Sequence, residues 1–182
     1  QEIMHPHPDL ARIIGPVIGT LRVLTLDAGR GPEVLYCTLK APAAGATVDS
    51  AAGPLGSYAA IETATGRVLR LQDRRWLGGT DQAINPVSGE AMVGALLPDY
   101  AAALDLARAA HACIPDRGIL GVDLMLTGQG PRVIEVNTSP FHSAYQTAFA
   151  RGVLNPDFLP RLQAVRDRFR KVTPRPKNCP LS

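Results

Sequence analysis

Two acids and an amide stand close together in the stretch GVDLMLTGQGPRVIEVNTSP, residues 121–140. Asp123 lies inside one apolar run and Glu135 inside the next, with the turn-forming TGQGP between them. Alternation and β-branched residues on both sides predict a two-stranded hairpin. If TGQGP is a symmetric loop, Leu126 faces Arg132, and the count then sets Asp123 directly opposite Glu135 and Gly121 opposite Asn137. Directly opposed side chains share a face with their Cβ atoms about 4.5–5.5 Å apart. Leu124, Ile134 and Val136 would point the other way, into a core. A slip of one residue would send the two acids to opposite faces.

Two carboxylates that close repel each other, and each favours a proton unless a cation sits between them. Two acids plus an amide oxygen form an incomplete set of hard oxygen ligands. Such a set suits Mg²⁺, which keeps water or takes phosphate oxygens as its remaining ligands. An ion bridging phosphate oxygens stabilises developing charge and orients a phosphoryl group. Composition alone leaves open an ordinary half-exposed hairpin with acids on its wet face. Asn137-Thr138-Ser139-Pro140 tilts the choice, because a strand that turns at once into a Ser-Pro loop sets its ligands beside a rim where substrate enters.

The elements that must position these groups follow from patterning. Residues 9–14 predict a short helical turn closed by Gly15 and Pro16. Residues 20–26 (TLRVLTL) and 33–40 (EVLYCTLK) alternate around the turn DAGRGP and read as a β-hairpin. After a loop of small residues over 41–57, residues 58–62 and 67–71 form two short strands joined by TATG. Residues 73–97 carry few signals apart from a turn at INPVSGE. A helix, YAAALDLARAAHAC, starts after Pro98 and Asp99, with Tyr100, Leu104, Ala107 and His111 on its buried stripe. Strands at 119–126 and 132–136, a loop NTSPFHS, and a helix PDFLPRLQAVRDRFR interrupted near Pro160 complete the body. The expectation is one α+β domain over residues 1–172, mainly an antiparallel sheet with flanking helices, and a flexible tail over 173–182.

Bulk composition agrees with a folded globular chain: 182 residues, 19% charged, 5% aromatic, and a net charge of +3. The basic residues near 67–75 and 161–177 space like a solvated helix face and a tail. They lack the interleaved aromatics of a single-strand binder, so no nucleic-acid partner is expected. No apolar run reaches the ~18 residues of a membrane span, so no membrane partner is expected either. Cys37, Cys113 and Cys179 show no C-x-x-C or zinc spacing, which favours a reducing compartment such as the cytoplasm. Remaining candidates have plain readings beside them. His5 and His7, each before a proline, suit a solvated turn better than zinc. His111 suits helix packing, and Trp76 an anchored loop. Arg74 and Arg75 suit a solvated charge run better than a phosphate site, while His142 stands where it could face substrate.

With these residues in view, GVDL followed by VIEVNTSP resembles the final two strands of the ATP-grasp fold. TLRV at residues 20–23 is similar to the strand whose arginine contacts phosphate or acyl-phosphate oxygens. Gln1-Glu2-Ile3 resembles the hinge between the two ATP-grasp lobes, which touches adenine. The order of pieces over roughly residues 1–154 is most similar to the sugar-transfer-associated branch. The branch that ligates glutamate to protein tails follows closely, through E-V-N-x-S-P. The resemblance implies the C-terminal lobe of an ATP-grasp fold, with the lobe bearing the adenine-clamping lysines and a Gly-rich flap lying before the hinge. It implies Asp123, Glu135 and Asn137 as magnesium ligands, and Arg22 and Lys40 as catalytic cations that also bind ATP with Glu2. Asp49 would open the substrate-side loop, where Ser50 replaces a frequent Asn and Ala51-Ala52 a His-containing stretch.

The implied chemistry is ATP- and Mg²⁺-dependent ligation. A small-molecule or peptide carboxylate takes the γ-phosphoryl group, and an amine captures the resulting acyl phosphate. No Ser-His-Asp or Cys-His pattern calls for a covalent enzyme intermediate. A rival expectation is a degenerate ATP-grasp remnant that binds a peptide or a glycan-associated partner without catalysis.

Overall fold

A computed structural model describes residues 4–46, 56–73 and 79–172 of the chain. The expected hinge residues 1–3 with Glu2, the loop with Asp49 and Ser50, Arg74, Arg75, Trp76 and the tail lie outside the described residues. Helix α1, Pro8–Ile14, begins where His7 accepts the Asp9 N–H on Nδ1 at 3.2 Å, so His7 is an N-cap. It ends at Gly15, whose φ of +91° and contact with Val87 leave no room for a side chain. Strands β1, Thr20–Leu26, and β2, Glu33–Ala41, form the expected hairpin. Then come β3, Ser57–Ile61, β4, Val68–Asp73, and the two-residue β5, Asp81–Gln82. Helix α2, Tyr100–Ala112, is followed by β6, Ile119–Thr127, β7, Gly130–Asn137, α3, Ser143–Phe149, and α4, Leu159–Val172.

All strands join one antiparallel sheet in the order β5-β4-β3-β2-β1-β6-β7. The α+β expectation therefore holds. Side chains at Leu21, Val23, Cys37, Leu39, Ala59, Ile61, Leu71, Val122 and Leu124 line one face and pack against α1 and α2. The stripe predicted for α2 is the buried one: Tyr100, Leu104, Ala107 and His111 are all inside. His111 is fixed between Thr25 Oγ1 at 2.7 Å and the Arg117 carbonyl at 3.0 Å, the packed role expected of it.

The opposite face divides in two. At one end Leu24, Leu26 and Tyr36 are covered by Tyr145 of α3 and Val165 of α4. The Tyr36 ring lies tilted with its centroid 4.4 Å from that of Tyr145, which in turn stacks 4.7 Å from Phe149. The rest of that face carries polar side chains on β1, β2, β6 and β7.

Three sequence expectations change. Helix α3 begins at the last residue of the expected loop NTSPFHS and runs through residues for which no element was expected; with seven residues it is too short to show a sustained period. Pro160 does not interrupt α4. It occupies the first turn, where the missing N–H has no intrahelical partner to lose, after Asn155 Oδ1 accepts the N–H groups of Asp157 and Phe158. Ile134 is 40% exposed instead of buried, for a reason that belongs to the site. The INPVSGE turn is present, with Asn85 Oδ1 accepting the Val87 and Ser88 N–H groups. Among the described residues no helix is long and apolar enough to cross a membrane.

Candidate functional site

The register of the last hairpin decides whether its acids meet. Asp123 does pair with Glu135 and Gly121 with Asn137, as the sequence predicted, although the predicted loop is not the one observed. The turn is tighter: Thr127 pairs with Gly130, so Leu126 faces Pro131 instead of Arg132. Continued without a break, that register would set the acids one residue apart. A bulge restores it, because Leu124 pairs with Val133 and Asp123 with Glu135, leaving Ile134 as the extra residue. Ile134 thus loses the core position expected of it, while Val136 still packs against the core and Leu124 is buried.

Across the sheet the same line continues. Asp123 is the cross-strand partner of Arg22, and Arg22 that of Thr38. Thr38, Arg22, Asp123 and Glu135 therefore form one row over β2, β1, β6 and β7, on the face away from α2. Lys40 stands two residues beyond Thr38 on the same side of β2, beside Thr20 and Tyr58. On the other flank Asn137 faces Gly121, where a side chain would collide with Pro140 at 2.8 Å, so the loop after β7 folds back over the glycine. The structure thus brings together Arg22, Asp123, Glu135 and Asn137, with Lys40 one step along.

Arg22 grips Asp123 in a two-pronged pair. Nε donates to Oδ1 at 2.7 Å and an Nη donates to Oδ2 at 2.6 Å, with the side chains only 14% and 4% exposed. The hydrogen bond to Asp123 holds the guanidinium more firmly protonated than usual, against the opposing effect of burial, and the nearby Tyr36 and Glu135 add to it. The expectation that an ion must separate the two acids is thereby corrected: a guanidinium already neutralises Asp123. Among the described residues, no group of three or more His, Cys, Asp or Glu could hold a metal ion. The candidate ligand set remains two carboxylates and one amide.

Two features indicate that the row is chemically unfinished. Thr38 Oγ1 and Asn137 Nδ2 are buried with no hydrogen-bond partner, and buried polar atoms without partners are rare in folded proteins. Asp123 also keeps acceptor capacity, since a carboxylate offers about four lone-pair sites and Arg22 takes two. The Asn137 amide N–H and the Thr38 hydroxyl can receive phosphate oxygens, while the spare lone pairs of Asp123, the Glu135 carboxylate and the Asn137 amide oxygen are the hard donors that suit an oxygen-seeking ion beside the Arg22 pair.

His142, one residue before α3, shares a hydrogen bond of 2.9 Å between its Nδ1 and the Tyr36 hydroxyl. Burial, and secondarily Arg22, lower the His142 pKa, so the ring is neutral at pH 7. Burial pushes the Tyr36 phenol well above its usual range, so it stays protonated. Sequence reasoning missed Tyr36 and Thr38. The signal was present: once Lys40 is placed on a face, the strand period puts Thr38 and Tyr36 on that face too. Arg70, opposite Ala60 on β4, is committed elsewhere, to the Thr147 and Ala148 carbonyls at the end of α3 and to Asp81. A cleft of about 290 Å³ beside the β6–β7 turn is lined by Met4, His5, Gln129 and Arg132.

Comparison with curated proteins and with solved structures found no match for this chain. A family model for sugar-transfer associated ATP-grasp proteins, by contrast, matches residues 1–165. That span contains the whole sheet and every residue of the row, so the chain belongs to the sugar-transfer associated ATP-grasp family.

Proposed function

We propose that the protein is an ATP- and Mg²⁺-dependent carboxylate ligase, of which this chain supplies the C-terminal catalytic lobe. A substrate carboxylate oxygen attacks the γ-phosphorus of ATP, and the bond from that phosphorus to the ADP oxygen breaks. An amine then attacks the acyl carbon, loses a proton and expels phosphate, leaving an amide-type bond. The observation that carries this reading is the row Arg22, Asp123 and Glu135 on one sheet face, with Asn137 beside it.

Asp123, Glu135 and Asn137 would hold Mg²⁺, which when bound neutralises phosphate oxygens. Arg22 offers a planar fork suited to phosphate, and Lys40 a compact second cation further along β2. Glu2 is assigned to the adenine side by the resemblance of the hinge. Catalysis of this kind is mostly positioning and charge neutralisation, which a rigid sheet face supplies. The substrate acid is a small molecule or a peptide, the acceptor an amine, and a preceding lobe would close over the nucleotide.

One observation favours a second reading. Both Asp123 oxygens are engaged by Arg22, so the row is partly balanced without a metal, as a non-catalytic remnant that binds a peptide or glycan-associated partner would be. Titration calorimetry with MgATP separates the two. The ligase reading expects binding by the wild type that weakens at least about 10-fold in Asp123→Asn and Glu135→Gln. Equal affinity in all three proteins, or none in any, would support the remnant.

A further inference from the structure

We infer that Arg22 is the resident counter-ion of Asp123 and releases that carboxylate to an arriving nucleotide, so that the divalent ion enters with the phosphates and not ahead of them. The inference rests on the proposed function and concerns the order in which the same site is filled. Its basis is the geometry of one row. A single guanidinium stands on the same line as two carboxylates, donating to both oxygens of Asp123 and electrostatically coupled to Glu135.

An ion arriving alone would have to share Asp123 with a positive charge already seated there, in a place where little water screens the repulsion. A polyphosphate changes the balance. Its oxygens match the guanidinium fork as well as a carboxylate does, so Arg22 gains an alternative partner while the ion gains Asp123. The other side of Arg22 is prepared for such a move. Thr38, its cross-strand neighbour on β2, holds a buried hydroxyl with no partner, able to accept a bond from a guanidinium that has let go of Asp123. Asn137, whose buried amide N–H is also unpartnered, offers a further donor to the arriving phosphate oxygens.

The test uses Mn²⁺ alone as a spectroscopic stand-in for Mg²⁺, titrated into the wild type, Arg22→Gln and Arg22→Lys, with free Mn²⁺ and melting temperature both followed. Arg22→Gln is expected to bind Mn²⁺ at least about 10-fold more tightly than the wild type, because a like charge this close shifts such equilibria by 10-fold or more. Its melting temperature should rise on adding Mn²⁺ while that of the wild type barely moves. Arg22→Lys should fall between them, since an ammonium cannot fork both oxygens. With Mn²⁺ saturating, ATP should bind Arg22→Gln more weakly than the wild type.

A folded Arg22→Gln protein that binds Mn²⁺ no better than the wild type overturns the inference. If that variant folds only in the presence of Mn²⁺, the ion has replaced the guanidinium and the inference stands. If Mn²⁺ fails to restore it and Arg22→Lys binds the ion as the wild type does, the inference falls. Failure of the ligase reading looks different: the wild type then binds no MnATP, or Asp123→Asn and Glu135→Gln bind it as well as the wild type.

Discussion

Two arginine–aspartate pairs in this molecule have similar distances and opposite characters. At the junction of α4 with the β1–β2 turn, Arg168 meets Asp27 at 2.8 Å and also donates to the Asp27 carbonyl at 3.0 Å. The other Asp27 oxygen accepts the N–H groups of Gly29 and Gly31. Burial would raise the Asp27 pKa, but the Gly29 N–H and Arg168 outweigh it and hold the carboxylate below its usual range. Arg161 reinforces the same junction through Glu33 and the Val34 carbonyl. There the fold itself satisfies the acid.

In the sheet row, one guanidinium serves Asp123 while Glu135 stands opposite, and two buried polar atoms nearby have no partner. A structural pair is saturated by its own chain. The Arg22–Asp123 row, which we propose receives a ligand, keeps bonding capacity in reserve.

Breaking the pairs should expose that contrast. Arg22→Gln leaves Asp123 buried without its cation and should destabilise the protein by about 3–5 kcal/mol in chemical denaturation. A loss below ~1 kcal/mol would mean that Asp123 does not depend on Arg22. Next in size, Glu135→Gln should weaken MgATP binding by about 100-fold, since even outer partners of a metal ligand are worth 10–100-fold. Because Glu135 is exposed, the same change should alter stability by no more than ~0.5 kcal/mol. A variant that loses stability but keeps nucleotide affinity would reverse the roles given to the two pairs.

Arg168→Gln should remove ~1 kcal/mol or less, because its partly exposed charge is screened and the glycine N–H groups still hold Asp27. Nucleotide affinity should not change. The smallest effect concerns His142. Its folded pKa lies below the unfolded value near 6.5, so the unfolded state takes up the proton first as pH falls. The stability it contributes is present above about pH 6.5 and is lost as pH drops through the folded pKa. His142→Gln should flatten that part of a melting-temperature profile between about pH 5 and 7; an unchanged slope would remove His142 from the polar cluster around Tyr36.

Much of this was legible beforehand, though unevenly. Strand β1 was readable to the residue, since TLRVLTL is rich in β-branched and apolar residues and is bounded by Gly19 and Asp27. Helix α2 was readable because its stripe is long enough to show a period. Short α3 and two-residue β5 carry no period and depend on tertiary contacts. The Asp123–Glu135 pairing was anticipated through a loop that does not occur. A tight turn at Gly128-Gln129 and the bulge at Ile134 offset each other, and nothing local in the sequence announces that compensation.

Residue order alone therefore settled the chemical vocabulary: acids at 123 and 135, an amide at 137, cations at 22 and 40, each on a strand whose period of two relates neighbouring side chains wherever no bulge intervenes. Side-chain type and strand periodicity are local properties. The tertiary structure decided which strands are neighbours, and so set Arg22 against Asp123, 101 residues apart in the chain. That choice comes from burying one apolar sheet face under α1 and α2, a long-range free-energy minimum that no window of sequence contains.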